Sequence, residues 1–127
     1  MPDHLLWDEA TRPVPEPVDA ALAEIAAEIR QNPSRRWTVP ELAAHTGLSR
    51  AQFTRRFLAH TGMPPARYVI RARTDRARQL LAETNMSVAQ VAATLGYTDV
   101  AHFSRQFRQY TGNPPSRRAN QRRADDG

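Results

Sequence analysis

The stretch GYTDVAHFSRQFRQYTGNPPS at residues 96–116 occurs in nearly the same form earlier in the chain, as GLSRAQFTRRFLAHTGMPPA at residues 47–66. The matched positions lie 49 residues apart as far as Gly47 and Gly96 and 50 residues apart after them, because the second copy has one extra residue. Twelve identities in about thirty positions indicate a true internal repeat. The period is too long, and two copies are too few, for a solenoid, so the fold contains one unit built twice.

Capping boxes mark the places where the helices begin. In this pattern a Ser or Thr hydroxyl accepts a hydrogen bond from an early helical amide, and a Glu or Gln three residues later reciprocates. The pattern occurs at residues 38–41, 49–52 and 87–90, and either Thr98 or Asp99 is expected to cap the second helix of the second copy. Each copy therefore starts two helices.

Glycines and an apolar stripe complete each unit. Gly47 and Gly96 follow the first helix of each copy, where a glycine accepts the left-handed conformation of a tight turn. Aromatic side chains at spacings of three and four then form the inward stripe of the second helix. Each copy is thus a helix-turn-helix unit that Thr-Gly-x-Pro-Pro closes. The stripe consists of Phe53 and Phe57 in the first copy and of Phe103, Phe107 and Tyr110 in the second.

The sequence predicts an all-α protein. One continuous helix of about 18 residues, about 27 Å long, is expected between the copies, and another helix with its own apolar face is expected ahead of them. The predicted boundaries are a flexible arm at residues 1–16, a bipartite helical domain at 17–118 with units at about 38–61 and 87–111 and a linker helix at about 65–83, and a flexible tail at 119–127.

All 18 basic residues are arginine, and the net charge of +5 is unevenly distributed. The net charge, counted from Arg, Asp and Glu, is −5 for residues 1–33, +7 for residues 34–83 and +3 for residues 84–127. The basic excess therefore lies in the repeated region, which is typical of a protein with a polyanionic partner. Guanidinium groups also suit bidentate contact with phosphate or guanine. A high-GC genome would explain the choice of Arg over Lys but not its placement.

Several kinds of function are excluded by residues that the chain lacks. The 127 residues include no cysteine, which rules out disulfides, thiolate metal sites and cysteine nucleophiles, and the four histidines have no ligand spacing. No Ser/His/Asp set, paired carboxylates or glycine-rich phosphate loop appears, so neither an enzyme, a metal nor a cofactor is expected. No apolar run approaches the roughly 20 residues of a membrane span, and the N-terminus lacks a signal-peptide pattern. A cytoplasmic protein with no membrane partner is the expectation.

The second helix of each copy has an outward face that is short, polar and cationic. Residues 50–60 contain no acid, whereas a merely solvated helix commonly mixes both signs of charge. Such a face suits a helix in the major groove of DNA, and two of them on one stiff helix would reach successive major grooves, ~34 Å apart. The outward positions are Arg50, Ala51, Thr54, Arg55 and Leu58 in the first copy and Val100, Ala101, Ser104, Arg105 and Arg108 in the second.

Four segments of the second copy are distinctive, namely SVAQVA at residues 87–92, GYTD at 96–99, FSRQF at 103–107 and GNPPS at 112–116. They resemble the C-terminal DNA-binding domain of the AraC/XylS family of bacterial transcription regulators. The resemblance extends over about residues 18–118. It implies about seven helices, in two helix-turn-helix units joined by a long linker helix, and sequence-specific binding to promoter DNA as an activator or a repressor.

The resemblance places base contacts on exposed positions of the third and sixth helices. We expect Arg55 and Arg105 to contribute most, since arginine to guanine is the commonest specific contact. Either arginine could instead bind phosphate or brace the fold, and His102 could equally cap or pack locally. The candidate base-reading residues are Ala51, Thr54, Arg55, Ala101, His102 and Arg105, and the candidate phosphate contacts are Arg50, Arg56, Thr98, Ser104 and Arg108.

Other positions of the resembling region are harder to place. Arg71, Arg73 and Arg78 on the linker helix could add to the positive field toward DNA, but a solvated helix face is the expectation for most of them. The sequence departs from the family at Thr74, where an apolar residue is usual, and at Arg118, where a tyrosine is usual, and both departures concern local packing. Most members carry a ligand-sensing domain ahead of this one, which 33 residues cannot supply. The chain is therefore either a stand-alone binder or the DNA-binding fragment of a longer regulator.

The expected partner is double-stranded promoter DNA, with RNA polymerase as a second candidate. The chain is expected to be a monomer by itself and a dimer if it belongs to a longer regulator. The alternative interpretation is a helical protein-interaction module that contacts the transcription machinery. The two interpretations differ in salt dependence, because each phosphate contact adds about 0.9 to the log-log slope of affinity against salt for B-DNA.

Overall fold

A computed structural model describes residues 17–115. Within this range the chain forms six α-helices and no strand, which confirms the all-α prediction. The arm predicted for residues 1–16, the tail predicted for residues 119–127 and the seventh helix, expected from the second proline pair onward, lie outside the described residues. No helix in residues 17–115 is long and apolar enough to cross a lipid bilayer. The helices are α1 (Pro17–Gln31), α2 (Val39–Thr46), α3 (Arg50–Thr61), α4 (Pro65–Glu83), α5 (Val88–Thr94) and α6 (Val100–Thr111).

The repeat appears as two helix-turn-helix units, α2 with α3 and α5 with α6. Gly47 and Gly96 stand at the two turns with φ of +74° and +87°, in the left-handed region that favours glycine. The amide after each glycine donates to a carbonyl five residues earlier, at 3.2 Å in the first unit and 3.0 Å in the second. These bonds satisfy carbonyl groups that the end of a helix otherwise leaves unpaired.

Side chains cap the helix starts named from the sequence, but only two of the three predicted capping boxes are complete, because within residues 17–115 the Glu41 side chain does not accept from the Thr38 amide. Complete capping boxes form at Ser49 and Ser87, whose hydroxyls accept from the amide three residues on at 3.2 Å and 3.0 Å. The Gln side chains there reciprocate at 3.1 Å and 2.8 Å. At Thr38 the hydroxyl accepts from the corresponding amide at 3.4 Å. Asp99, rather than the preceding threonine, caps α6 by accepting from the amide two residues on at 2.9 Å.

The buried side chains form two separate cores, one for each unit. The first core is shared by α1, α2, α3 and the start of α4, and the second by the end of α4, α5 and α6. Both are built around a pair of phenylalanines that are almost fully buried. The first core contains Leu22, Ile25, Ala26, Ile29, Leu42, Ala43, Phe53, Phe57 and Val69, and the second Ala77, Leu81, Val91, Ala92, Leu95, Phe103 and Phe107.

Helix α4 is the only helix of residues 17–115 that contributes to both cores. Its 19 residues give a length of about 28 Å. Val69 packs into the first core, whereas Ala77 and Leu81 pack into the second. Thr74, where the family usually has an apolar residue, lies between these positions and is only 5% exposed. The linker helix therefore connects the two units through packed side chains at each end.

Candidate nucleic-acid interface

Packing of the aromatic stripe determines which face of α3 is outward. The rings of Phe53 and Phe57 lie 5.5 Å apart between centroids and are fully buried. Since neighbouring positions on a helix are about 100° apart, the remaining faces of α3 point away from this core. Arg50, Ala51 and Arg55 are exposed. The outward face of α3 thus presents two guanidinium groups on either side of a small apolar residue.

Helix α6 repeats this arrangement with a different surface. Phe103 and Phe107 are buried with their ring centroids 5.8 Å apart. Val100, Ala101 and Arg105 are exposed on the other side of the helix. The outward face of α6 therefore carries an arginine at the position that matches α3, together with an apolar first turn.

The structure places the predicted base-reading residues on these two faces. Of the six predicted base-reading residues, Thr54 on α3 is half-buried and the other five are exposed. The exposed residues are Ala51, Arg55, Ala101, His102 and Arg105. Within residues 17–115, the side chains of Arg55 and Arg105 have no hydrogen-bond or ion-pair partner. Their guanidinium groups are thus available to an outside ligand, and the brace proposed as an alternative for them has no contact to support it. Base reading by these residues stays a prediction.

His102 has a local neighbour as well as an exposed edge. Its ring lies edge-on to Tyr97, with 5.7 Å between the centroids, and Tyr97 stands in the turn before α6. The contact fits the local-packing alternative, and the exposure of His102 fits the base-reading one. Both interpretations of this residue stay open.

The candidate phosphate contacts also lie at the surface. Arg50, Arg56, Thr98 and Arg108 are exposed, and Ser104 is half-buried on α6. Neither α3 nor α6 contains an acidic residue, so the positive charge along both helices is not offset within them. Apart from Thr98, which lies in the turn before α6, the residues of both predicted sets lie on the same two helices, and the assignment of the second set to phosphate stays a prediction.

Two exposed apolar side chains were not among the predicted site residues. Leu58 on α3 is 45% exposed and Val100 at the start of α6 is 42% exposed. Single apolar side chains on a protein surface are common and do not by themselves mark a binding face, so these two matter only because they lie on the outward faces beside the predicted contacts. The helical spacing already put both on the outward faces, and their apolar character was the signal that could have selected them as contacts for a thymine methyl group.

The expected solvation of the linker arginines is wrong for Arg73. Its side chain is half-buried and donates to the carbonyl oxygens of Pro33, at 2.9 Å, and Arg35, at 3.1 Å. Its guanidinium carbon also lies 5.5 Å from the centroid of the Tyr97 ring. Arg73 therefore faces the body of the protein. There, loop carbonyls and an aromatic ring replace the contacts that its guanidinium group would make with water.

Burial raises the pKa of the Tyr97 phenol above its ordinary value of 10.0, and the nearby charge of Arg73 partly offsets this rise. The Tyr97 hydroxyl donates to Oε1 of Gln106 at 2.6 Å. The phenol is thus neutral and serves as a hydrogen-bond donor within the second unit.

Two other linker arginines differ from Arg73. Arg71 is exposed, and its Nε atom lies 3.9 Å from Oδ2 of Asp75, one helical turn later. An exposed ion pair of this kind contributes little to stability. Arg78 is half-buried, and its buried Nε atom has no hydrogen-bond partner in the part of the chain that the structure describes. No group of three or more acidic or histidine side chains in residues 17–115 is arranged to hold a metal ion.

Two helix-turn-helix units on one linker helix define a class of bipartite helical domain. A family model described as a helix-turn-helix domain matches residues 42–121, which is more than half of the chain. The chain therefore belongs to the AraC-type helix-turn-helix family, which confirms the resemblance.

Curated relatives match a similar share of the chain. The transcriptional regulator GbdR of Pseudomonas aeruginosa is 39% identical over 81 residues, covering 64% of this chain and 22% of that protein. A putative AraC-like transcription regulator of Streptomyces lividans is 34% identical over 79 residues, covering 62% of this chain and 26% of its own length. The chain thus spans less than a third of the length of these relatives.

Solved structures match the fold over a larger share. The DNA-binding domain of AdpA, a global transcriptional factor in complex with a target DNA, has a TM-score of 0.78 and 31% identity, covering 83% of this chain and 95% of that one. A transcriptional regulator of Chromobacterium violaceum with an AraC-type DNA-binding domain has a TM-score of 0.72 and 30% identity, covering 81% and 92%. The two-unit architecture is therefore that of the family's DNA-binding domains.

Proposed function

We propose that this chain binds specific sequences of double-stranded promoter DNA and regulates transcription, with α3 and α6 lying in successive major grooves. The observation that carries the proposal is the matched pair of outward helix faces, each with an arginine, Arg55 or Arg105, whose side chain has no partner within residues 17–115. An α-helix fits the major groove, and a forked guanidinium suits the two acceptors of guanine there. The similarity to the AdpA domain, which is in complex with a target DNA, supports the same mode of binding.

The remaining candidates then take separate roles. We assign Thr54, Ala51, Ala101 and His102 to contacts with neighbouring bases beside the arginines, with the alanines limited to thymine methyl groups. Phosphate contacts hold the helices in register without reading sequence, and the residues assigned to them are Arg50, Arg56, Thr98, Ser104 and Arg108.

Partners other than DNA follow from the same proposal. A regulator that activates transcription also contacts RNA polymerase, and we propose that enzyme as the second partner. We propose that the chain acts in the bacterial cytoplasm, as a monomer by itself and as a dimer within a longer regulator. No catalytic step is proposed. Nothing in the matched faces favours the protein-interaction alternative over DNA, because a protein surface does not require two copies of one cationic helix.

The first experiment is a selection of bound duplexes from a random pool, followed by affinity measurements at several salt concentrations. We expect one asymmetric motif, because α3 and α6 present different side chains, and a steep fall of affinity with salt. Binding that is weak, unselective and insensitive to salt would contradict the proposal and favour the protein-interaction alternative.

The second experiment assigns the arginines. Arg55→Ala and Arg105→Ala are each expected to lower discrimination at one half-site by about 1–3 kcal/mol. Arg55→Lys and Arg105→Lys keep the charge but lose the fork, so they should retain general affinity while losing the same discrimination. Arg71→Ala is the matched control, since Arg71 is an exposed arginine on the linker helix. Equal losses on selected and scrambled duplexes would show that an arginine contacts phosphate.

A further inference from the structure

The loop between α1 and α2 touches the turn of the second unit at Gly96. A Cβ atom at Gly96 would lie 2.7 Å from the carbonyl oxygen of Ser34, closer than Cβ atoms approach non-bonded atoms in proteins. Gly47, at the matching turn of the first unit, has a similar positive φ, but within residues 17–115 no atom beyond its own chain neighbours lies within 4 Å of its Cβ position. Gly96 is therefore required by a contact between the units as well as by its backbone conformation.

Arg73 connects the same two segments from the linker helix. Its Nε and Nη2 atoms donate to the carbonyl oxygens of Pro33 and Arg35, on either side of Ser34. Its guanidinium also lies over the ring of Tyr97, which follows Gly96 in the turn of the second unit. One side chain thus holds a loop of the first unit against the turn of the second.

The contact continues into the second recognition helix. The Tyr97 hydroxyl donates to Gln106 on α6 at 2.6 Å. Gln106 also lines a cleft of about 240 Å³ together with Trp37 and Val39 of the first unit. A change in the Ser34, Arg73 and Tyr97 contacts would therefore change the position of α6 itself.

We propose that Ser34, Arg73, Gly96 and Tyr97 form a clasp that fixes the rotation and separation of α3 and α6, and thereby sets the half-site spacing that the protein accepts. The inference rests on the proposed binding to two major grooves. One base pair changes the separation of half-sites by about 3.4 Å and their rotation by about 35°. A stiff linker helix, packed into one core at each end, keeps the units apart, and direct contacts between the two ends add a further restraint on their rotation about it. Arg73, Gly96 and Tyr97 are thus positioning residues that act through α6.

The first test needs no DNA. Because the chain has no cysteine, Ala59→Cys and Gln109→Cys, at exposed matched positions of α3 and α6, allow two spin labels and a distance distribution between them. The otherwise unchanged protein should give a narrow distribution. Arg73→Met and Gly96→Ala should each broaden it. Gly47→Ala is the matched control, with the same backbone strain and no lost contact, and should keep it narrow. Equally narrow distributions for Gly96→Ala and Gly47→Ala would overturn the clasp.

The second test measures affinity for selected duplexes with one base pair inserted or removed between the half-sites. The unchanged protein is expected to lose about tenfold or more at either altered spacing, and Arg73→Met about threefold or less, after both are confirmed to be folded by circular dichroism. The same spacing profile for both proteins would overturn the proposal that the clasp sets spacing. A failure of the unchanged protein to select any duplex would instead contradict the proposed function, and the label distances would still decide whether the clasp exists.

Discussion

Thr61 and Thr111 occupy matched positions at the ends of α3 and α6 and make matched contacts. Each hydroxyl donates to the carbonyl of the phenylalanine one turn earlier at 2.8 Å and accepts from the amide two residues further on at 3.2 Å. These bonds hold the chain as it leaves the helix toward the proline pair. The threonine of Thr-Gly-x-Pro-Pro therefore stabilises the end of the helix, and its presence in both copies is explained by the fold.

The positions that differ between the copies lie on the outward faces. Where α3 has Arg50 and Gln52, the matched positions of α6 have Val100 and His102. A cation at the start of one helix favours phosphate or guanine, and an apolar group at the start of the other favours a thymine methyl group. The two half-sites are therefore expected to differ in sequence.

Thr74 offers a test at the scale of one buried side chain. It is 5% exposed and lines a cleft of about 290 Å³ with Met63 and Tyr110. Thr74→Leu is expected to stabilise the protein by about 1 kcal/mol, because leucine has a higher helix propensity than threonine and adds apolar surface to a site with room for it. The free energy of unfolding in urea measures the effect.

Thr74→Val is the control, since it exchanges the hydroxyl for a methyl group and adds no reach. Its effect should be smaller than that of leucine. Destabilisation by leucine alone would mean that the cleft cannot accept the larger side chain, which is the ordinary result of overpacking a core.

At the scale of helices, the capping side chains determine where the short helices begin and contribute to their stability. Helix α5 has only seven residues, which is too short to be stable without its neighbours and its cap. Ser87→Ala and Ser49→Ala are each expected to cost about 1 kcal/mol, because both hydroxyls accept from a helix amide that then loses its partner. A fall in melting temperature of about 4–8 °C for each would agree with this value.

Thr38→Ala is the matched control for the two serines. Its hydroxyl accepts at the longer distance of 3.4 Å, so its loss should cost less than either serine. A cost equal to that of Ser87→Ala would show that the caps act through the unfolded chain rather than through these hydrogen bonds.

The starts of α3 and α6 also differ in charge. Ser49 caps α3 with a neutral hydroxyl, whereas Asp99 caps α6 with a carboxylate. The carboxylate stabilises the positive end of its helix but opposes the approach of a phosphate to the same place. Phosphate contacts at a helix start are therefore expected to be stronger for α3 than for α6.

Features that depend on near neighbours in the sequence could be predicted. The boxes at Ser49 and Ser87, the glycine turns and the phenylalanine pairs each follow from residues within four positions of one another, and the structure confirms them. The outward faces followed from the same helical spacing. This is why the fold and the location of the candidate site were predictable, whereas the assignment of Arg55 to bases or to phosphate depends on a DNA sequence that the chain does not contain.

Contacts between distant segments could not be predicted in this way. Arg73 and Pro33 are 40 residues apart, and no periodicity or cap relates them. The spacing along α4 therefore favoured a solvated arginine. The close approach of Ser34 to Gly96 could not be predicted either, because these residues are also far apart in the sequence. The backbone conformation of the turn was already a sufficient reason for a glycine there.

At the scale of the whole molecule, the two cores share little beyond α4. No buried residue belongs to both of the clusters described for residues 17–115. The first cluster draws on α1 as well as on its own unit, whereas the second draws on α4, α5 and α6. Stability need not be uniform in such a protein, since weakly connected parts can open separately.

This division predicts the response to loss of a core phenylalanine. Phe107→Ala is expected to cost about 3–5 kcal/mol through lost burial and a cavity, against a total of about 5–15 kcal/mol for a domain of this kind. In hydrogen exchange under native conditions, amides of α5 and α6 should lose protection by about 10²–10³, while those of α2 and α3 change little. Phe57→Ala, the matched variant in the first core, should reverse this pattern. Equal loss of protection in both units for either variant would mean that the contacts between the units, through α4 and the clasp, are strong enough to make the whole molecule unfold as one.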